Sequence, residues 1–449
     1  MVGSTHGSLL LPLPLRARRS YARRPMNSPP HHLRDPAGWC AAVAFAFLAL
    51  VCLRLGIPSK PYFDEIHYLP AARALLAGTD WLNREHPMFG KVIIAAGIGL
   101  FGDHPWAWRL PSALAGTLTV WAAMRALWFA SLSRFATLAY GVLLTSGFIL
   151  FVHARIAMLD VFMVALVTVV FWQCAAAVRE PEHGRRSLAI AGVALGLALG
   201  TKWNAIPLAP LPGLAFLAAR LHACGWRGLI GRRGPPVPGI RLGEAAIWLG
   251  IVPLAVYALT YLPAFLVDPA EAGRRGLIGI HQMMLSMQES VVKPHPYQSV
   301  WTDWIINRRA IWYLYEPVDG AQRGVLLIGN PLTMLLGLPA LAWCAWAGFA
   351  RKRADALAAF LVFAASLAMW IVAAKPIQFY YHYFLPSMAL LAALALALDA
   401  LRSRGWGWLS WLVLAGSVGV FAWFFPILDA SPLQGQRAFE HWMWVDSWR

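Results

Sequence analysis

Residues 159–178 read LDVFMVALVTVVFWQCAAAV, and from Val161 onward no charged side chain interrupts the run. A bilayer-spanning helix needs about 20 predominantly apolar residues, so this stretch alone is long enough to cross. Runs of the same kind recur from Trp39 nearly to Pro426. The composition of the 449-residue chain agrees, with 59% hydrophobic and 13% charged residues and a mean hydropathy of +0.56. A soluble globular chain carries about twice that charged fraction. The fold class is therefore an all-α polytopic membrane protein. Soluble enzymes, secreted disulfide scaffolds and disordered chains are excluded. Runs this continuous do not suit a β-barrel either, because barrel strands alternate in ~10-residue segments.

The formal charge is +17, from 38 basic and 21 acidic residues. Its placement explains it better than a nucleic-acid partner does. Arginines precede the first apolar run (Arg16, Arg18, Arg19, Arg23, Arg24, Arg34) and cluster again at 179–186, 220–241, 351–353 and 402–404. These clusters fall in alternate loops, which is the positive-inside pattern, and they attract anionic lipid. Loop charge and hydrophobic length predict about 11 spans. They fall near 38–57, 107–128, 135–151, 159–178, 187–199, 203–221, 243–266, 325–349, 356–374, 380–398 and 408–425. An odd count puts the N-terminus inside and the C-terminus outside. One integral domain, 38–426, lies between a basic cytoplasmic tail, 1–37, and an extracytoplasmic tail, 427–449. The tail's apolar stretch Leu9 to Leu15 is broken by prolines and precedes the arginines, the wrong order for a signal peptide. Two large outer segments are expected, 58–106 and 267–323.

Four of the five cysteines lie within apolar spans and Cys224 in an inner loop, with no CxxC pair, so neither a disulfide framework nor a cysteine metal site is expected. No HExxH or HxH spacing occurs, and no metal or cofactor is called for. In the first outer segment, Asp64 and Glu65 stand where a helix begins. Leu69, Arg73 and Leu76 then recur at helical spacing, predicting a short amphipathic helix on the membrane surface. The apolar stretch from Met88 to Phe101 is too short to span and reads as a second surface or re-entrant helix.

Asp64 and Glu65 are the chain's only adjacent acidic pair. Helix capping explains such a pair as readily as function does, until its surroundings are weighed. Tyr62, Phe63, Ile66 and Tyr68 flank it, and apolar surface is costly for carboxylates. A carboxylate held at the membrane face can take a proton from an incoming hydroxyl. Three cations also stand at outer helix ends, against the topology rule: Arg109 in WAWRLPSAL, Arg155 in HARIAMLD with Asp160, and Lys202 in GTKWN. Any one alone reads as a snorkelling side chain. Together they point to a shared anionic ligand, and a lipid phosphate suits Arg and Lys donors. In 295–317, Trp301, Trp304, Trp312, Tyr313 and Tyr315 are expected at the lipid headgroup level, more readily than in contact with sugar or peptide.

With these residues in view, the sequence resembles the protein O-mannosyltransferases, a family of GT-C glycosyltransferases that use polyprenyl-phosphate-linked mannose. FDEIHY matches the family's first acidic motif and HPMFGK its HPPxGK segment. WRLPSAL, HARIAMLD and GTKWN match the following helix ends, and HPYQSVWTDW the central outer loop. GNPL at 329–332 matches the next helix start and FYYHYFLP a late helix near its outer end. These matches follow family order through nearly the whole membrane region. The resemblance implies a GT-C bundle with interfacial helices in the first outer loop. Asp64, with Glu65 beside it, would be the catalytic carboxylate. Arg109, Arg155 and Lys202 would hold the donor phosphate or the acidic pair. His86, Asp160, His295, Tyr297, Trp301 and His382 fall in the matched motifs and would surround the donor and acceptor. Met88 stands where the family often has proline. The segment 267–323 is too short for the β-trefoil domain of the eukaryotic members, so acceptor choice does not carry over from them.

The expected reaction is mannose transfer from polyprenyl-phosphate-mannose to Ser/Thr hydroxyls of exported proteins. It would take place on the outer face of the plasma membrane, with inversion and without a metal. A related GT-C enzyme acting on a lipid or wall polymer shares the donor chemistry. A transporter of lipid-linked sugars suits less well, because transporters gather ionisable residues at the midplane of repeated halves. Here those residues collect at outer helix ends and no repeat is visible.

Overall fold

A computed structural model of the chain describes residues 34–290, 292–373 and 375–449. Most of the expected basic tail therefore lies outside the described residues. Helix follows helix: α1 (Ala37–Cys52), α2 (Glu65–Ala77), α3 (Phe89–Phe101), α4 (Pro105–Ser131), α5 (Arg134–Thr145), α6 (Phe148–His153), α7 (Leu159–Arg179) and α8 (Gly184–Leu199). A 3₁₀ turn, Trp203–Leu208, leads into α9 (Leu211–Cys224). Next come α10 (Leu242–Ala246), α11 (Val252–Leu259), α12 (Leu262–Val267), α13 (Pro269–Glu289) and the short α14 (Trp301–Ile305). A hairpin, β1 (Ile311–Val318) and β2 (Ala321–Leu327), precedes α15 (Pro331–Arg351), α16 (Ala354–Val372), α17 (Phe384–Ser403) and α18 (Gly407–Phe424). Among the described residues, eight helical segments are long and apolar enough to cross a membrane, and the chain is a multi-pass membrane protein.

All eleven expected spans contain helix, but several are broken. The 135–151 stretch is two helices parted at Ser146 and Gly147, and 243–266 divides into α10, a π-turn at Ile247–Ile251, α11 and α12. The span expected from residue 325 begins instead at Pro331, because Val325, Leu326 and Leu327 form the fully buried end of β2. A short apolar run suits a buried strand and a helix start equally. The helix begins where Asn330 accepts a hydrogen bond from the Leu332 amide and Pro331 occupies the first turn.

Both short helices expected in the first outer segment form, α2 from Glu65 and α3 from Phe89. α3 seats closely on α4: a Cβ at Gly97 would lie 2.8 Å from the Ala107 carbonyl oxygen. Contacts sort into two ends. At one, Asp35 pairs with Arg125, Arg179 donates to the Phe129 carbonyl at 2.8 Å, and Arg185 pairs with Glu244. At the other, Arg54 bonds Asp429 and Ser431, and Arg155 reaches the carbonyls of Val51 and Leu53 at 2.6 Å. The C-terminal segment docks here too. Leu433 bridges to Gln322, and the buried Trp448 donates to the Asn307 carbonyl at 2.9 Å.

Candidate active site

The site gathers where α2, α7, the turn before α9, β1 and the head of α17 meet. Phe63 has a left-handed backbone (φ +49°), a conformation a bulky side chain rarely adopts. It turns the chain so that Glu65 points inward. Glu65 is wholly buried and forms two 2.8 Å bonds with Arg109; its oxygens also accept from the amides of Ala157 (3.0 Å) and Tyr62 (3.2 Å). Arg109 directs its remaining donors to the carbonyls of Leu55, Pro58 and Lys60. All five of its N–H groups are thereby satisfied. Arg155 likewise faces backbone, with the carbonyls of Val51, Leu53, Arg54 and Asp429 around its two terminal nitrogens. Of the two uses foreseen for Arg109, the acidic pair is the one its geometry displays.

Asp64 is built differently. It precedes α2 but makes no capping bond to the first-turn amides, and its Oδ2 lies 3.4 Å from the Tyr68 hydroxyl. Burial raises its pKa above the ordinary carboxylate value, while the nearby Lys202 pulls it down and Asp160 pushes it up. Lys202 pairs with Asp160 at 2.6 Å and stands 5.1 Å over the Tyr381 ring. The other Asp160 oxygen is buried without a partner among the described residues.

Two cavities flank this centre. The first, about 390 Å³, lies between residues 60–63 and 312–316, with Tyr297 on its wall. The second, about 180 Å³, is lined by His86, Lys202, Trp203, Trp370 and Lys375, with Glu85 and Glu289 also on its wall and Leu285 and Met369 adding apolar surface. Between them runs an aromatic wall: Phe63 stacks on Tyr313 at 3.8 Å and meets Tyr381 edge-on at 6.1 Å, and Tyr381 stacks on Phe379 at 5.4 Å. His382 stacks on Trp370 at 3.8 Å. Its Nδ1 accepts from the Phe379 amide, so Nε2 carries the proton, and that buried N–H has no partner among the described residues.

His86 sits in the second cavity beside Tyr68, its pKa pushed well down by burial and then by Lys202. The wholly buried Lys91 holds the loop before it, donating to the carbonyls of Asn83 (2.6 Å) and His86 (3.0 Å). His295 is exposed beside Tyr297 and Phe379, and Trp301 is half-buried at the head of α14, lining neither cavity. The aromatic belt needs correction. Trp304 is fully buried, and Trp312 and Tyr313 are nearly so. They pack inside the protein rather than facing lipid: Trp312 and Tyr313 belong to β1 and line the first cavity, and Trp304 packs against Trp370 and His382.

Lys375 was not foreseen. It is half-buried, has no ion-pair partner among the described residues, and its pKa is pushed down to about 8 by burial and by Lys202. A lone lysine at the outer end of a span departs from the positive-inside rule, and that was the available signal. Among the described residues no three His, Cys, Asp or Glu side chains gather as metal ligands do.

Two descriptions match the sequence: dolichyl-phosphate-mannose-protein mannosyltransferase over residues 85–229, and the C-terminal four-transmembrane region of protein O-mannosyltransferase over residues 274–448. The polyprenol-phosphate-mannose–protein mannosyltransferase of Mycobacterium tuberculosis is 27% identical, over 92% of either chain. That of Mycolicibacterium smegmatis is 26% identical, covering 92% of this chain and 93% of its own. Among solved structures, the Saccharomyces cerevisiae Pmt1–Pmt2 complex bound to its sugar donor aligns with a TM-score of 0.78 at 14% identity. The alignment covers 94% of this chain and 95% of that one, a likeness of fold.

Proposed function

This chain belongs to the dolichyl-phosphate-mannose-protein mannosyltransferase family, and from that premise we propose that it transfers mannose from a polyprenyl-phosphate donor to Ser/Thr hydroxyls of exported proteins. The reaction takes place on the outer face of the plasma membrane, opposite the arginine-rich loops. The observation that carries the mechanism is Asp64: a carboxylate at a helix start that caps nothing, next in sequence to Phe63 on the aromatic cavity and within the field of Lys202 and Lys375 on the other.

The lysine-lined cavity takes the donor. Lys202 and Lys375 attract its phosphate, and the His382 N–H is a further unpartnered donor nearby. The apolar side chains of Leu285 and Met369 suit the start of the lipid chain. The acceptor hydroxyl comes from the other side and attacks the anomeric carbon. The new C–O bond forms as the bond to phosphate breaks, inverting the configuration. Asp64 accepts the hydroxyl proton, and polyprenyl phosphate leaves as an anion, so no general acid is required. The lysines stabilise the charge that develops on it. A base works best when its pKa approaches the working pH, so the upward push of burial on Asp64 favours this role. Arg109 and Arg155 act through position: they fix the chain around Glu65 and so hold Asp64 in place.

Mass spectrometry of exported proteins, from cells with and without this chain, tests the proposal. Hexose should disappear from Ser/Thr peptides when the chain is absent. An unchanged exported proteome with an altered lipid or wall glycan would overturn the choice of acceptor.

A further inference from the structure

The larger cavity has an unusual wall. Five consecutive residues of β1, Trp312 to Glu316, line it along the strand edge that β2 does not occupy. On that edge an antiparallel strand turns alternate N–H and C=O groups outward. No backbone or side-chain partner for them occurs among the described residues. Proteins ordinarily cover or blunt such an edge, because it is a template for another strand. The opposite wall, 60–63, is not free to pair: Pro61 lacks an N–H, the Tyr62 amide is bound to Glu65 and the Lys60 carbonyl to Arg109. The open edge covers roughly 16 Å at about 3.3 Å a residue. It borders Phe63, which precedes Asp64 in sequence and whose ring stacks on that of Tyr313 within the edge.

We infer that the acceptor polypeptide binds as an added strand on the free edge of β1, which delivers its hydroxyl residue to Asp64. This rests on the reading of the chain as a protein mannosyltransferase and deepens it. Strand addition draws affinity from the acceptor's backbone, with pockets reading alternate side chains. The substrate class is thus an extended Ser/Thr segment, tolerant of sequence but intolerant of proline wherever an acceptor amide pairs with β1. The Lys60–Glu316 ion pair, 2.8 Å, joins the two walls at the exposed rim of the cavity.

The test uses the full chain in lipid nanodiscs with polyprenyl-phosphate-mannose. The acceptors are peptides carrying one Thr among alanines and glycines, and a single N-methyl amide is moved along the peptide one position at a time. KM should rise about three- to tenfold at every second position and change little between, the scale of one lost hydrogen bond, with kcat nearly constant. A flat profile, or one that decays smoothly away from the Thr, overturns the assignment. Absence of transfer to the parent peptides sinks the functional reading itself, and the strand with it. Cross-linking gives a readout without catalysis. A Glu316→Cys chain oxidised with single-cysteine peptides should trap one register, and equal trapping at all positions overturns the proposal.

Discussion

Asp64 leaves its carboxylate half-buried and uncapped, whereas Glu65, one residue on, closes on Arg109 inside the protein. The two should therefore fail differently. Asp64→Asn keeps shape and cannot accept a proton, so transfer should fall about 10²–10⁴-fold while folding and donor binding persist. A helix cap would tolerate the change, since Asn and Asp cap alike; near-normal transfer at matched expression would move the base elsewhere. Glu65→Gln instead leaves Arg109 charged and buried without its partner. Breaking such a pair costs about 3–5 kcal/mol, so thermal unfolding in detergent should show a clear loss. Lys375 supplies a pH signature. With its pKa pushed down to about 8, it is charged below that pH and neutral above it. The kcat/KM for donor should therefore decline as pH rises through about 8, and Lys375→Arg, which stays charged, should remove that limb. A profile that Lys375→Arg leaves unchanged would exclude Lys375 from the phosphate site.

At the scale of elements, the helices that carry the site were readable because they follow simple rules. Glu65 begins α2, and the apolar 13-residue α3 is too short to span. The hairpin was missed for a physical reason. Its residues 311–315 are aromatic and aliphatic, and 325–327 are wholly aliphatic, so beside true spans they look like interfacial belt and helix. What makes them strands is mutual pairing, Ile311 with Leu327 and Trp312 with Leu326, a non-local contact that composition does not encode. Packing of α3 is similarly exacting. At Gly97 a side chain would press on backbone, the Ala107 carbonyl, which cannot swing aside. Gly97→Val should cost about 1–3 kcal/mol as an overpacking change and lower the melting temperature in detergent. An unchanged melting temperature would mean that α3 can shift away from α4.

For the whole molecule, the clearest expectation is orientation. The arginine-rich loops and the site lie at opposite ends of the helices, so accessible tags should divide accordingly. Tags within 225–239 should report the cytoplasm, and tags within 293–296 or after Arg449 the outside. A cytoplasmic C-terminus would overturn the odd number of crossings. Chain order and long-range hydrophobicity determined by themselves that this is a polytopic helical protein with two short helices after the first span, and motif order pointed to its family. They also brought Asp64, Lys202 and Asp160 into consideration. Arg109 and Arg155 show the limit of that reading. Both were noticed as cations out of place, but a charge in a sequence does not say what it faces. Tertiary structure turned their donors onto Glu65 and backbone carbonyls, gathered Lys375 beside Lys202 from 173 residues away, and laid an open strand edge beside Phe63. Span and topology follow from local composition because a bilayer sorts segments one at a time, by length and charge. Partners of buried charges and free edges depend on which distant segments meet, and that is settled only when the helices pack.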